Sequence, residues 1–264
     1  MIDLHSHPLP GIDDGVQDAD EAVAMCRIAV EEGIRTLVAT PHMREDLFPN
    51  RRGDILERIE KLRERLAREE VDLEISAGAE VYLEPDLVER LRAGEYLTIN
   101  DAGYYVLLEL PTRHLPAGTE DLIYRLRLEG ITPVIAHPER LGPIQDDPDC
   151  LGRLVELGAL AQLTAGSLLG QFGSAAQRSA QQLLTGGLAH VLASDAHNSG
   201  ARAPRLRRAL AEATALVGRE AAERMVQQVP RAILDGEEIE VGVETAERST
   251  RGSGWLDWLR GRGK

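Results

Sequence analysis

The sequence is poor in aromatic residues and in long apolar runs. Of its 264 residues, 43% are hydrophobic but only 3% are aromatic, so a core must be built mostly from Leu, Val, Ile and Ala. No apolar run approaches the ~20 residues that a membrane-spanning helix needs. The start, Met1-Ile2-Asp3, lacks the basic and apolar regions of a signal peptide. We therefore expect a protein that is not transmembrane.

Cysteine is also scarce. Cys26 and Cys150 are too few for a disulfide framework, and both lie in segments with a helical pattern, which favours a reduced protein of the cytoplasm. Neither cysteine is followed by an arginine six residues later. That spacing, Cys-x5-Arg, resembles the phosphate loop of cysteine-dependent phosphatases, and its absence excludes that mechanism.

Positive charge is in short supply. The 30 Lys and Arg residues against 44 Asp and Glu residues give a formal net charge of -14. Because nucleic acids are bound by clustered Lys and Arg, we expect no nucleic-acid partner. The exception is the C-terminal segment, 246–264, which we interpret as a flexible basic tail. It contains Trp255 and Trp258, which would share a helical face that suits a membrane surface or a partner.

The rest of the chain alternates between β-friendly runs and amphipathic helical patterns. After an N-terminal strand, further strands are predicted at 36–40, 73–81, 104–110, 132–136, 160–164 and 188–194. Helices are predicted from Asp18 to Gly33 and over 54–70, 87–91, 120–128, 149–157, 175–184, 202–217 and 219–228, with a short turn at 232–234. Strands that are apolar on both faces and alternate with helices predict a parallel sheet.

Seven such units without a linker predict one domain, residues 1–245, with a closed or nearly closed α/β barrel. The alternative is an open doubly wound sheet. Against it, no Gly-x-Gly-x-x-Gly follows the first strand, so the usual dinucleotide cradle is missing.

Two histidines stand at the end of the first strand. Alternate side chains share one face of a strand, so His5 and His7 point the same way and can bind one metal. Pro8 and Gly11 end the strand just beyond them. Such a pair also occurs by chance, and the other strand ends decide between the two interpretations.

Those strand ends carry further imidazoles and carboxylates. The candidate metal ligands, in chain order, are His5, His7, Asp14, His42, Glu80, Glu109, His137, Asp195 and His197. The sixth strand supplies none. The ends of parallel barrel strands meet at one face, where so much unpaired charge would be costly without bound cations. A cluster of about three cations with Glu80 as the bridging ligand fits, and a donor set without thiolate favours Mn, Fe or Zn over Ca.

The motifs at these positions resemble the polymerase and histidinol phosphatase (PHP) superfamily. More closely, they resemble its bacterial protein-tyrosine phosphatase branch, which is associated with capsular and exopolysaccharide synthesis. The likeness covers about residues 1–240. It rests on Asp3-Leu4-His5-Ser6-His7, Asp13-Asp14-Gly15, Ala39-Thr40-Pro41-His42, Gly78-Ala79-Glu80, His137-Pro138-Glu139-Arg140 and Ser194-Asp195-Ala196-His197-Asn198.

The resemblance implies a distorted (β/α)7 TIM-like barrel of the PHP type with three divalent metal ions, usually manganese, with Fe, Zn or Mg as alternatives. By similarity, the first metal takes His5, His7, Glu80 and Asp195, the second takes Glu80, Glu109 and His137, and the third takes Asp14, His42 and His197. Acidic residues at 14 and 109 are typical of the tyrosine-phosphatase branch. Relatives that act on small molecules or DNA often have histidine at such positions.

The activity implied by the resemblance is hydrolysis of phosphotyrosine by a metal-activated hydroxide, with the tail of a bacterial tyrosine autokinase as the expected substrate. Three alternatives stay open: a small-molecule phosphatase of the histidinol-phosphate type, a phosphodiesterase, and a metal-stabilised module that binds a kinase tail without chemistry. The oligomeric state is also open.

Substrate contacts are predicted at four further positions. Arg140 and Arg202 are candidate phosphate clamps by similarity, because the planar guanidinium binds oxyanions through two donors. Their alternative role is pairing with surface carboxylates. Met43 stands where relatives often have a polar or basic residue, so Arg44 is a candidate replacement, and His114 is expected to line the mouth of the barrel. His190 is out of phase with Asp195 and His197, so we interpret it as structural.

Overall fold

The computed structural model of the chain describes residues 1–239. The predicted tail, 246–264, with Trp255 and Trp258, and the predicted domain boundary at 245 lie outside the described residues. The strands are β1 (Ile2–Ser6), β2 (Thr36–Ala39), β3 (His42–Met43), β4 (Glu74–Ala77), β5 (Glu80–Tyr82), β6 (Tyr105–Glu109), β7 (Thr132–Ala136), β8 (Leu160–Thr164) and β9 (Val191–Ala193). The helices are α1 (Ala19–Glu31), α2 (Arg52–Arg68), α3 (Leu87–Arg92), α4 (Thr119–Leu128), α5 (Gly142–Asp146), α6 (Asp149–Glu156), α7 (Ala165–Leu168), α8 (Gly173–Thr185), α9 (Arg207–Val217), α10 (Arg219–Arg224) and α11 (Gln228–Asp235). Short 3-10 turns occur at Ile99–Asp101 and Pro138–Arg140.

All the strands pair in parallel, in the orders β1-β2-β4 and β3-β5-β6-β7-β8-β9. The two sheets are consecutive parts of the same layer, because β3 continues the path of β2 and β5 continues that of β4. Pro41, which has no N–H to donate, stands at the first interruption. Its carbonyl accepts a hydrogen bond from the Glu80 N–H at 3.1 Å, so the pairing resumes directly beyond it.

Hydrogen bonds also join the first strand to the chain that follows the last. The Asp195 N–H donates to the His5 carbonyl at 2.9 Å, and the His7 N–H donates to the Ala196 carbonyl at 2.8 Å. The seven predicted strands therefore follow one another in a barrel-like arrangement, and the predicted α/β fold class is confirmed.

The helices pack their apolar faces on this sheet layer. In α1 the Asp18 carboxylate accepts the Glu21 N–H at 2.8 Å, so the predicted N-terminal cap is present. In α2 the buried residues are Ile55, Ile59, Leu62 and Leu66, at the spacing that predicted the helix. Full burial of each such side chain stabilises the fold by about 1.5–3 kcal/mol.

The C-terminal helices differ from the prediction. The helix predicted over 202–217 begins at Arg207, because Pro204 disfavours helical backbone before it. The helix predicted over 219–228 ends at Arg224. The predicted turn at 232–234 lies inside α11, which accommodates Pro230 in its first turn, where an N–H has no partner within the helix. No helix within residues 1–239 is long and apolar enough to cross a membrane.

Candidate metal centre

The carboxyl ends of the strands surround a cleft of about 220 Å³. Seven of the nine candidate metal ligands line it, and the other two, His5 and His7, are fully buried and contact Glu80 and Asp195. The structure thus brings together all nine side chains that the sequence predicted to meet. The residues lining the cleft are Asp14, His42, Glu80, Glu109, Thr112, His137, Arg140, Asp195, His197 and Arg202.

His5 and His7 point the same way, as the strand alternation predicted, and their Nε2 atoms lie 3.2 Å apart. The Nδ1 atom of His7 contacts Asp13 Oδ2 at 2.8 Å, and that of His5 contacts Gln162 Oε1 at 2.8 Å. Since both oxygens only accept hydrogen bonds, each Nδ1 carries a proton. When each ring is neutral, its Nε2 carries the lone pair, and because the two Nε2 atoms face the same point, the arrangement suits a cation.

Glu80 lies at the centre of the cluster. Its Oε1 is 2.7 Å from His137 Nε2, and its Oε2 is 3.1 Å from both His5 Nε2 and His42 Nδ1. Burial raises the pKa of this carboxyl, but His5, His42 and His137 outweigh burial and hold the pKa well below its usual value. A buried, ionised carboxylate with imidazoles at both oxygens has the geometry of a bridging ligand.

Asp195 connects the histidines to the two candidate phosphate clamps. Its Oδ1 is 3.5 Å from His5 Nε2, while its Oδ2 accepts a hydrogen bond from Arg140 at 2.6 Å. Arg202 forms an ion pair with the same Oδ2 at 2.9 Å and donates its hydrogen bond to the Asp195 carbonyl at 3.1 Å. Both Asp195 (φ 52°) and His137 (φ 36°) adopt left-handed backbone conformations. Each costs about 1–3 kcal/mol, and such strain is typical of functional sites.

Asp14, His42 and His197 form the outer part of the cluster. Asp14 Oδ1 is 3.3 Å from the Nε2 atoms of both histidines, which lower the pKa of this carboxyl. Glu109 Oε2 lies 3.6 Å from His42 Nδ1. Burial, together with the nearby charge of Glu80, raises the pKa of Glu109 to about 7. Removal of a proton from Glu109 is therefore coupled to any positive charge placed beside it.

Three groups of ligand atoms are close enough to hold a metal ion, with all their donor atoms within 4.8 Å of one another. They are His7, Asp14, His42 and His197; His5, His7 and Glu80; and His42, Glu80 and Glu109. The donor set of imidazole nitrogens and carboxylate oxygens fits divalent transition metals. In this grouping, His7 and His42 each belong to two sets, whereas the resemblance gave each of them one metal.

Sequence reasoning missed the residues that hold the ligands in place. Asp13 accepts hydrogen bonds from His7 Nδ1 and from the His42 N–H, at 2.8 and 3.1 Å. Gln162 on β8, the strand predicted to supply no ligand, contacts His5 instead of the centre itself. The sequence did mark Gln162, because it is the one amide in an otherwise apolar strand. Its position in the strand's two-residue alternation places its side chain toward the inside of the barrel.

The scarce aromatic residues were a second missed signal. The sequence has two phenylalanines, and both contact the cluster. The Phe48 ring stacks on His42 with centroids 5.2 Å apart. The Phe172 ring lies under the Arg140 and Arg202 guanidinium groups, at 4.7 and 5.6 Å from their central carbons.

Three other predicted residues lie away from the cleft lining. Arg44 pairs with Asp46 at 2.7 Å and stacks on Tyr82 at 4.0 Å. His114 lines a neighbouring surface groove of about 760 Å³. His190 Nδ1 accepts the Ala161 N–H at 3.1 Å, in keeping with a structural role.

Comparison with known proteins identifies the family. A model of the CpsB/CapC family, described as capsular polysaccharide synthesis, matches residues 1–235. Tyrosine-protein phosphatase YwqE of Bacillus subtilis (strain 168) is 41% identical over 198 residues, which are 75% of this chain and 78% of that protein. Tyrosine-protein phosphatase CpsB of Streptococcus pneumoniae is 30% identical over 242 residues, covering 89% of this chain and 98% of that protein.

A solved structure gives the same result. It comes from work on YwqE of Bacillus subtilis and CpsB of Streptococcus pneumoniae, described there as metal-dependent tyrosine phosphatases. It matches with a TM-score of 0.87 at 37% identity and covers 90% of this chain and 96% of that chain. As its motifs predicted, the chain belongs to the CpsB/CapC family of capsular polysaccharide synthesis proteins.

Proposed function

We propose that this protein is a metal-dependent protein-tyrosine phosphatase. The observation that carries the proposal is the convergence of imidazoles and carboxylates on Glu80, with Arg140 and Arg202 joined to the same cluster through Asp195. The family relatives that match most of the chain are named tyrosine-protein phosphatases, which supports phosphotyrosine as the substrate.

We propose three divalent metal ions, with manganese as the first choice. By similarity, His5, His7, Glu80 and Asp195 would hold one, Glu80, Glu109 and His137 a second, and Asp14, His42 and His197 a third. Seven of these nine residues, all but His137 and Asp195, belong to the groups of close donor atoms, which supports the assignment. When bound, such cations lower the pKa of water to about 7 and neutralise phosphoryl oxygens.

The chain's own groups would orient the phosphoryl group. Arg140 and Arg202 line the cleft, and each uses one N–H group to bond Asp195, which leaves other donors for the equatorial phosphoryl oxygens. The leaving phenolate has a pKa of about 10 and needs little help from a general acid. Neither cysteine lines the cleft, so transfer directly to water, without a phosphoenzyme, is the proposed route.

The physiological substrate is proposed to be the tyrosine-containing tail of a bacterial tyrosine autokinase, in keeping with the family description. A cytoplasmic location fits the two free cysteines, Cys26 and Cys150, because thiols stay reduced there. We retain residues 1–245 as the catalytic domain.

Metal add-back tests the proposal most directly. The protein is stripped with a chelator, given Mn, Zn or Mg one at a time, and assayed for phosphate release from a phosphotyrosine peptide, histidinol phosphate and a nucleotide diester. We expect release from the peptide to dominate and to need added metal. Peptide binding without phosphate release would favour the binding module, and a trapped phosphoenzyme would overturn the direct route.

A further inference from the structure

Phe172 has no evident role in the hydrophobic core, although it is one of the chain's two phenylalanines. It lies in the short connection between α7 and α8, and its side chain is half-buried. The contacts of its ring are charged instead. The guanidinium groups of Arg140 and Arg202 lie over the same ring, at 4.7 and 5.6 Å from its centroid.

The two arginines come from distant parts of the chain, yet they converge on two common partners. Arg140 donates to Asp195 Oδ2, Arg202 donates to the Asp195 carbonyl and pairs with the same Oδ2, and each guanidinium lies over Phe172. Asp195 fixes one N–H group of each arginine, and the Phe172 ring lies against both guanidinium groups. Together these contacts restrict two long, flexible side chains before any phosphate arrives.

The position of the ring is itself set by the backbone. A Cβ atom at Gly166 would lie 2.5 Å from Gln171 Oε1 and 2.9 Å from Phe172 Cε2, so a larger residue there would displace both side chains. The connection is tightly turned, because Gly170 and Gly173 have φ angles of 82° and 89°. The Gln171 N–H also donates to the Gly166 carbonyl at 2.9 Å. The ring is therefore held against α7 from both sides of the connection.

We propose that Phe172 is a positioning residue that holds Arg140 and Arg202 in the orientation that binds the phosphoryl group. The inference rests on the proposed phosphatase function. Cation–π contacts favour guanidinium groups stacked on a ring face, and they gain strength where water is partly excluded. Phe172 contributes no atom to the reaction; it lowers the cost of ordering the two arginines.

The test compares Phe172→Leu, which keeps an apolar side chain but removes the ring face, with Phe172→Tyr, which keeps that face. KM, kcat and competitive inhibition by inorganic phosphate are measured with manganese, together with metal content and melting temperature. We expect Phe172→Leu to weaken phosphate inhibition and raise KM by about 10-fold while metal content is unchanged. Phe172→Tyr should stay within about 2-fold of the unmodified protein.

Gly166→Ala provides a second variant, since it keeps Phe172 but displaces its ring together with the Gln171 side chain. It should weaken phosphate inhibition, as Phe172→Leu does. If Phe172→Leu fails to fold, Gly166→Ala alone tests the positioning role of Phe172. Unchanged phosphate inhibition in both variants overturns the inference. So does an effect confined to aryl substrates, because the ring would then contact the substrate itself.

Failure of the proposed function gives a different result. An unmodified protein that releases no phosphate with any metal refutes the phosphatase, whatever the variants do. In that case, binding of inorganic phosphate measured by calorimetry on the manganese-loaded protein still tests Phe172. The Leu variant should bind phosphate about 10-fold more weakly than the Tyr variant.

Discussion

At the scale of single residues, Glu80 is the side chain on which the candidate centre most depends. Three histidines lie within 3.1 Å of its two oxygens, and it belongs to two of the three groups that could hold a metal. Its removal would leave those imidazoles without the carboxylate that bridges them.

Glu80→Ala is therefore expected to lose bound metal and activity together, with activity lower by at least about 100-fold, because changes even to groups that merely support a ligand cost 10–100-fold. Metal content per chain and phosphotyrosine hydrolysis are measured on the same preparation. Glu64→Ala is the control: it removes a carboxylate of the same type at an exposed position of α2. It should change neither the metal content nor the activity. Full activity in the Glu80 variant would refute the bridging role.

The metal ligands could be predicted from the sequence where the chemistry of the side chain alone indicates a function. His5, His7 and Asp195 stand out because imidazoles and carboxylates at strand ends are costly without a function. Gln162 supports His5 from 157 residues away in the chain, whereas Asp13 contacts His7 only six residues away and was missed beside Asp14, which was predicted as the ligand. The local pattern marks Gln162 as an inward-facing amide, but which ligand it supports depends on the packing of distant segments.

At the scale of elements, the interruption between β4 and β5 contains a glycine that lies very close to the neighbouring strand. A Cβ atom at Gly78 would lie 2.9 Å from Val38 Cγ1 and 3.3 Å from Thr40 Cγ2. Gly78 thus lets the chain pass close to the neighbouring strand, two residues before Glu80. The sequence predicted one continuous strand over 73–81, because a break of this kind depends on a neighbour across the sheet.

Gly78→Ala is expected to destabilise the protein by about 1–3 kcal/mol, since overpacking moves backbone and side chains. Chemical denaturation measures the change. Gly53→Ala is the matched control, because a Cβ atom there meets nothing within 4 Å and Gly53 lies in the first turn of α2. It should leave stability unchanged or raise it by up to about 1 kcal/mol. Equal effects of the two substitutions would show that steric contact is not the cause.

At the scale of the whole molecule, the prediction of seven strands succeeded because each strand is a short apolar run and each helix has its own periodicity. The bonds between β1 and the chain after β9 join segments that are far apart in sequence, so they could be expected only from the fold class. The candidate ligands come from six of these seven strands, and the centre therefore connects the whole mouth of the barrel.

Metal removal should consequently destabilise the entire fold. Cations that bind the folded state alone stabilise it by about 2.7 kcal/mol at a free concentration 100 times their Kd. For a chain of this size, that corresponds to a loss of about 5–10 °C in melting temperature on chelation. Scanning calorimetry of the chelated protein, before and after manganese is restored, measures the shift. Because Glu80→Ala lacks the bridging carboxylate, manganese should raise its melting temperature much less, and an equal rise in both proteins would place the stabilising metal elsewhere.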